Sequence, residues 1–163
     1  MPSKIFSNKT TSVYLYSNTI ASTDNLVKTA IKDFLPNYTL NCKKPVQIYW
    51  NKSDTDSHTV VAVSTKNVGV DIEYMKERPF EKITKRYFDI HEVTDNKETF
   101  YSLWCQKEAY TKWKKEKIAV NMQERIDKVL MYADKIEDMV RLDCLPDNVV
   151  GYVCTWHCVG FHI

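Results

Sequence analysis

Apolar residues in the first half of the chain recur with two different periods. The short aromatic and β-branched run Val13–Tyr16 predicts a strand. Beyond Thr23, apolar side chains fall at three- and four-residue spacing as far as Leu35, which predicts a helix that Pro36 ends. The remaining runs predict strands at 46–50, 59–63 and 68–73, with a polar loop at 51–57.

The second half begins with two predicted helices. One starts at Pro79 and ends at Phe88, and the other runs from Thr94 to about Lys117, with acidic residues early and lysines late, as the helix dipole favours. The segment 126–132 is compatible with a short helix or a strand. Strands are predicted at 139–144 and 149–163, joined by a turn at 146–148. The whole pattern predicts an α+β fold.

Composition limits the possible functions. The 163 residues are 44% hydrophobic and 27% charged, which is typical of one globular domain or two small lobes. A net charge of +2 and the absence of an 18-residue apolar run indicate neither nucleic acid nor membrane as a partner. Three glycines are too few for a glycine-rich phosphate loop. The start lacks the apolar run of a signal peptide, and five cysteines, an odd number, favour reduced thiols and a cytoplasmic location.

Two carboxylates alternate on the predicted strand 68–73. Because alternate strand residues share a face, Asp71 and Glu73 point the same way, roughly 7 Å apart, while Val70 and Ile72 point into the core. Like charges on one face repel each other unless a cation or a proton lies between them. The pattern is compatible with a solvated strand face or with a cation site.

A second group of polar residues lies on the predicted helix 94–117. Trp104, Glu108 and Lys112 share one stripe at four-residue spacing. The stripe is compatible with an ordinary surface ion pair. It is also compatible with a metal-binding carboxylate one turn before a phosphate-binding ammonium.

The two motifs together resemble a known family. Gly-Val-Asp-Ile-Glu (69–73) followed by Trp-x-x-Lys-Glu-Ala-x-x-Lys (104–112) resembles the paired signature of the 4′-phosphopantetheinyl transferase superfamily. The helix at 84–88 and Glu92 resemble the segment between these motifs. Upstream, Lys44-Pro45 and the run 51–55 resemble further family segments.

The resemblance implies a chemistry and a set of site residues. Members transfer 4′-phosphopantetheine from coenzyme A to a serine of an apo acyl or peptidyl carrier protein and release adenosine 3′,5′-bisphosphate. Asp71, Glu73 and Glu108 would hold Mg²⁺, which prefers hard oxygen ligands. Glu108 would accept the serine proton, and Lys112 would stabilise the leaving group. The residues implied in coenzyme A binding are Lys44, Ser53, Asp54, Thr55, Lys107 and Lys112.

The sequence departs from the family pattern at two places. Asp54 stands where the family usually has a histidine beside the 3′-phosphate of coenzyme A, and a carboxylate repels that phosphate. Lys52 or His58 would have to compensate. The usual glycine loop after the last lysine is missing, so the helix is expected to run longer.

The resemblance also implies an architecture. We expect a 4′-phosphopantetheinyl transferase-like α+β fold of two small lobes, 1–66 and 67–163, each with a helix packed on antiparallel strands. The first lobe would hold the nucleotide of coenzyme A, and the second the metal and the catalytic motifs. This is the compact pseudo-dimeric type that resembles the surfactin-synthetase-activating class, and it would act as a monomer. The alternative is a catalytically degenerate relative that binds a nucleotide or a carrier protein.

Two other features have competing interpretations. Cys154, Cys158 and His162 could suggest zinc, but on a strand they spread along one face, which favours a core or edge strand. The basic and aromatic run 112–117 could bind nucleic acid. An acidic carrier protein would suit the same run by electrostatic steering.

Overall fold

The computed structural model describes residues 2–17, 22–36, 46–117, 122–127 and 137–156, which form seven strands and three helices. The strands are β1 (Ser3–Ser7), β2 (Thr11–Ser17), β3 (Tyr49–Asp54), β4 (His58–Ser64), β5 (Gly69–Tyr74), β6 (Glu137–Arg141) and β7 (Val149–Trp156). The helices are α1 (Thr23–Phe34), α2 (Phe80–Tyr87) and α3 (Lys97–Lys114), with a 3₁₀ turn at Ile90–Glu92. None of these helices is long and apolar enough to cross a membrane.

The strands form two antiparallel sheets. The first has the order β1-β2-β4-β3, and the second has the order β5-β7-β6. Every neighbouring pair within a sheet is antiparallel. The α+β class and the 4′-phosphopantetheinyl transferase-like arrangement, a helix on each antiparallel sheet, are therefore confirmed.

Alternation along the strands separates the core into layers. In the first sheet Tyr14 and Val61 face α1, where they pack with Phe34. Their neighbours in sequence point to the opposite face and pack against the second sheet, in a buried cluster that comprises Val13, Val60, Ala62, Val68, Val70, Ile72, Leu142 and Val153. Val70 and Ile72 lie in the core, as the alternation predicts.

The far side of the second sheet is covered by α3. Tyr152 and Cys154 of β7 pack there against Tyr101, Cys105 and Ala109 of the helix. Each sheet thus has its own helix on its outer face. The boundary between lobes at residues 66 and 67 falls in the connection between β4 and β5, and it stays a prediction.

The two sheets meet along β3 and β5 without main-chain pairing. The backbone N–H of Val70 donates to Asn51 Oδ1 at 3.1 Å, and that of Ile72 donates to Ser53 Oγ at 3.2 Å. Two alternate side chains of one strand thereby bond two alternate amides of the other. The junction fixes the register between the first sheet and the motif strand β5.

The predicted bounds of the strand at 46–50 and of the loop at 51–57 were wrong. The strand is β3, and only residues 55–57 form the connection to β4. The polar residues of this segment indicated a loop. Asn51 and Ser53 are polar because they belong to an edge strand whose inward face bonds β5. The strand β1 was not predicted, since it is short and its side chains are mostly exposed or half-buried.

Two further boundaries differ from the predictions. The strand predicted at 139–144 is β6, which ends at Arg141. The helix α3 does not run longer in place of the glycine loop, because it stops at Lys114 and Lys115 adopts a left-handed conformation with φ 61°. Ile126 and Asp127 are helical, whereas the rest of 126–132 and the end of the predicted strand 149–163 lie outside the described residues. The predicted turn is present, since Val149 N–H donates to Pro146 O at 3.1 Å.

Candidate active site

Helix α3 crosses directly over Gly69 at the start of β5. A Cβ atom at Gly69 would lie 2.0 Å from the carbonyl oxygen of Ala109 and 2.5 Å from the backbone nitrogen of Trp113. Only a residue without a side chain allows this approach. Two residues along a strand span about 6.6 Å, and helix residues four apart are separated by roughly 6 Å. Because these distances are similar, alternate residues of β5 lie beside successive turns of α3. Gly69 faces Ala109, and Asp71 lies two residues further along the strand, where it bonds Lys112 of the helix.

Asp71 is a buried carboxylate in this interface, with 2% of its surface exposed. Its Oδ1 accepts hydrogen bonds from Ser53 Oγ and from Lys112 Nζ, both at 2.8 Å. Its Oδ2 is also buried, and within the described residues it has no hydrogen-bond partner. An unpartnered buried carboxylate oxygen is costly unless a cation or a donor meets it.

Lys112 extends from the last turns of α3 to the strand. Its ammonium donates to Asp71 Oδ1 and, at 3.2 Å, to the carbonyl oxygen of Val70. It lies 4.0 Å from Glu108 Oε2, one turn earlier on the helix. With about a quarter of its side chain exposed, Lys112 holds Asp71 and still reaches the surface.

Glu108 and Glu73 are carboxylates whose environment favours the protonated form. Burial raises the pKa of Glu108 and the negative charge of Asp71 raises it further, to about 7, although Lys112 opposes this. Burial and Asp71 likewise raise the pKa of Glu73, against the charges of Arg78 and Lys112. The Trp104 side chain lies close to both carboxyls and lowers the pKa of each.

These carboxylates are suited to a hard cation by their chemistry. Asp71 offers an unpartnered oxygen, and burial first and neighbouring negative charge second raise the pKa values of Glu73 and Glu108. No set of three or more Asp, Glu, His or Cys side chains in the described ranges is arranged as a ready-made metal cage. Mg²⁺ is usually bound by one or two carboxylates together with water and substrate phosphates, so the donor set fits this ion.

A cleft of about 390 Å³ opens beside Glu73. Asp54, at the end of β3, lines it and accepts hydrogen bonds from Lys52 Nζ at 2.6 Å and from Thr59 Oγ1 at 2.8 Å. Burial raises the pKa of Asp54, but these bonds and the charges of Lys52 and Lys112 lower it more, so the pKa lies below its usual 3.8. Asp54 is therefore an ionised carboxylate at neutral pH.

The two residues considered as substitutes for the family histidine have other partners. Lys52 is bonded to Asp54 itself and, at 3.3 Å, to Thr23 Oγ1 at the start of α1. His58 Nδ1 bonds the Ser57 hydroxyl at 2.8 Å. Each of these side chains therefore already has a hydrogen-bond partner within the protein.

Lys107 is not brought together with the carboxylates. It lies one residue before Glu108, which turns its side chain by about 100° around the helix. It is 1% exposed, forms an ion pair with Glu92 Oε2 at 2.7 Å and donates to the carbonyl oxygen of Glu124. The location indicates a structural ion pair rather than a phosphate contact.

The other residues implied in coenzyme A binding are distributed differently. Ser53 is 7% exposed and positions Asp71, whereas Thr55 lines the cleft and bonds the turn at His58. Lys44 lies outside the described residues, as do Cys158 and His162. Cys154 is a buried residue of the core under α3, as the strand interpretation predicts.

Sequence reasoning missed the contribution of Asn51 and the effect of Trp104 on the carboxyls. The alternation of Asn51 and Ser53 is the signal for the first, because it has the period of a strand. Trp104 shares the predicted stripe with Glu108, but its effect on the pKa values of Glu73 and Glu108 depends on how α3 lies on β5. Only the tertiary contact reveals that effect.

A family model matches the part of the chain that carries both motifs. Residues 67–133 match the model described as 4′-phosphopantetheinyl transferase superfamily. The matched segment contains Asp71, Glu73, Glu108 and Lys112, so the resemblance indicated by the two motifs is confirmed over these residues. No curated protein matches the sequence.

Proposed function

We propose that this protein transfers the 4′-phosphopantetheine group of coenzyme A to a serine of an apo acyl or peptidyl carrier protein, with Mg²⁺ as its cofactor. The second product would be adenosine 3′,5′-bisphosphate. One observation carries the proposal. Within the segment that matches the family model, β5 and α3 bring Asp71, Glu73, Glu108 and Lys112 to one place.

The proton and the phosphorus would move as follows. The serine oxygen bonds to the phosphorus on the pantetheine side of the pyrophosphate, and the bond from that phosphorus to the bridging oxygen breaks. Glu108, whose Oε2 lies 4.0 Å from the Lys112 ammonium, accepts the serine proton as the general base. The bridging oxygen leaves with adenosine 3′,5′-bisphosphate.

Lys112 and Ser53 have supporting parts. The ammonium of Lys112 is fixed by Asp71 and by the carbonyl of Val70, so it is ready to meet negative charge that grows on the leaving group. Ser53 donates to Asp71 and accepts from Ile72 N–H, which fixes the carboxylate to the strand. The hydroxyl thus acts by positioning Asp71.

The cofactor would be held by Asp71, Glu73 and Glu108 together with oxygens of the donor. When bound, Mg²⁺ would neutralise the negative charge of the pyrophosphate. Because Asp71 Oδ2 is buried and unpartnered within the described residues, it is the oxygen with most to gain from a cation.

The test is a mass measurement on carrier proteins. The protein is incubated with coenzyme A, Mg²⁺ and a panel of apo acyl and peptidyl carrier proteins, and each carrier is weighed. We expect a gain of one phosphopantetheine on at least one carrier, lost when its acceptor serine is replaced by alanine. Omitting Mg²⁺ and adding a chelator should also abolish the gain.

Two variants make the test specific for the site. Asp71→Asn keeps the shape but removes the charge, and it should abolish transfer while the protein stays folded. Glu77→Gln is the matched control, since Glu77 is an exposed carboxylate paired with Lys97 at 2.9 Å. Normal transfer by Asp71→Asn would contradict the assigned site. Coenzyme A binding with no transfer to any carrier would favour the degenerate relative.

A further inference from the structure

A second charged residue lies beside the carboxylates, on the connection between β5 and α2. Arg78 follows Glu73 by five residues and lines the same cleft, together with Asp54, Asp56, Tyr74 and Lys76. It is an exposed side chain. The positive charge of Arg78 acts on Glu73, which also lines the cleft.

Most other charges of the cleft are already paired. Asp54 is bonded to Lys52 at 2.6 Å, and Asp56 to Lys76 at 2.9 Å. Glu73 is a proposed metal ligand, so a bound cation would meet its charge. Arg78 forms no ion pair within the described residues, and its guanidinium is the cation left over in this cleft.

Arginine suits a phosphate better than lysine does. Its planar fork places two N–H donors on two phosphate oxygens, and its charge cannot be lost near neutral pH. Proximity decides which phosphate it meets. Glu73 connects the cleft to the place where the pyrophosphate would lie, whereas the ionised Asp54 at the other side repels the 3′-phosphate.

We propose that Arg78 binds the pyrophosphate of the donor from the β5–α2 connection, as a second cation that complements Lys112 on α3. The inference rests on the proposed function and assigns to that site a residue outside both sequence motifs. Arg78 would fix the orientation of the pyrophosphate over the carboxylates. It is a determinant of donor binding that does not depend on the 3′-phosphate.

The experiment compares two donors, coenzyme A and 3′-dephospho-coenzyme A, which share the pyrophosphate. Arg78→Ala should lower kcat/KM for both donors by the same factor, about ten- to a hundredfold. Arg78→Lys, which keeps the charge but lacks the fork, should recover only part of the loss. Lys76→Ala is the matched control, because Lys76 is an exposed cation of the same cleft already paired with Asp56, and we expect a smaller effect.

The outcomes separate this inference from the proposed function. A loss confined to coenzyme A would make Arg78 an anchor of the 3′-phosphate and overturn the proposal, and no loss with either donor would also overturn it. If the wild type transfers nothing, the proposed function fails. Calorimetric binding of both donors to wild type and Arg78→Ala then tests Arg78 by itself, with equal weakening supporting the proposal and no weakening refuting it.

Discussion

Lys107 and Glu92 form a buried ion pair whose charged atoms are 2.7 Å apart. The side chains are 1% and 8% exposed, and each has a further partner in the segment around residues 124–126. Lys107 donates to the Glu124 carbonyl, and Glu92 Oε1 accepts from Ile126 N–H at 2.8 Å. The ammonium also lies 5.1 Å from the centre of the Phe88 ring. The pair therefore connects α3, the 3₁₀ turn and the segment after α3.

This pair predicts a large effect of Lys107 on stability. Lys107→Met leaves Glu92 as an uncompensated buried charge, so the free energy of unfolding should fall by about 3–5 kcal/mol. The matched control is Lys85→Met, which breaks an exposed pair with Glu81 on α2 and should cost far less stability. Urea unfolding of both variants measures the difference. Equal stabilities would contradict a structural role for the buried pair.

Gly69 predicts a joint loss of stability and transfer. In Gly69→Ala the new methyl group meets backbone atoms of Ala109 and Trp113, which cannot move alone. Overpacking of this kind costs about 1–3 kcal/mol. Because α3 also carries Glu108 and Lys112, the shift separates them from Asp71, and transfer should fall even where the protein is fully folded. Unfolding curves and transfer rates at a permissive temperature check this, and unchanged values in both would refute the close approach.

Lys112 should affect the chemical step more than donor binding. Lys112→Ala removes a fixed cation that meets charge developing during transfer, so kcat should fall by roughly 10²–10³ with a smaller rise in KM. Lys114→Ala, two residues further on the same helix and paired with Glu116 at 3.4 Å, is the control. Steady-state kinetics with coenzyme A distinguish the cases. A rise in KM alone would make Lys112 an ordinary phosphate anchor.

Asp54 should make the protein indifferent to the 3′-phosphate. An ionised carboxylate cannot donate a hydrogen bond to it, and Lys52 is already bonded to Asp54. We expect kcat/KM for coenzyme A and its 3′-dephospho form to differ by less than about tenfold. Asp54→His should increase the preference for coenzyme A, whereas Asp56→His should not. A strong preference in the wild type would instead point to another cation.

Asp54 also predicts a specific response to acid. Its pKa is lower in the folded protein than its usual 3.8. Between these two pKa values the unfolded chain binds more protons than the folded protein, so stability rises with pH. The stabilisation is present above pH 3.8 and is lost as the pH falls through the folded-state value. Urea unfolding at about pH 6 and at about pH 3 should show a smaller difference between wild type and Asp54→Asn at the lower pH. A difference independent of pH would contradict the ion pair with Lys52.

The sequence by itself determined the elements and motifs whose information is local. The alternation in β5 places Val70 and Ile72 in the core, and the apolar spacing between Thr23 and Leu35 predicts α1. The two motifs, with their order and spacing, indicated the superfamily whose model matches residues 67–133. The strand and the helix depend on neighbours two to four residues apart, and each motif is a short run of residues, so a linear pattern records them.

Only the tertiary structure decided which polar residues face one another. Lys107 and Lys112 are both lysines of α3, but one pairs with Glu92 inside the protein and the other with Asp71. The polar run 51–54 predicted a loop and is the edge strand β3, because Asn51 and Ser53 bond amides of β5 nearly twenty residues away. Arg78 belongs to the site through the cleft and not through a motif. Such contacts depend on how separate elements pack, and no periodicity within one element encodes their partners.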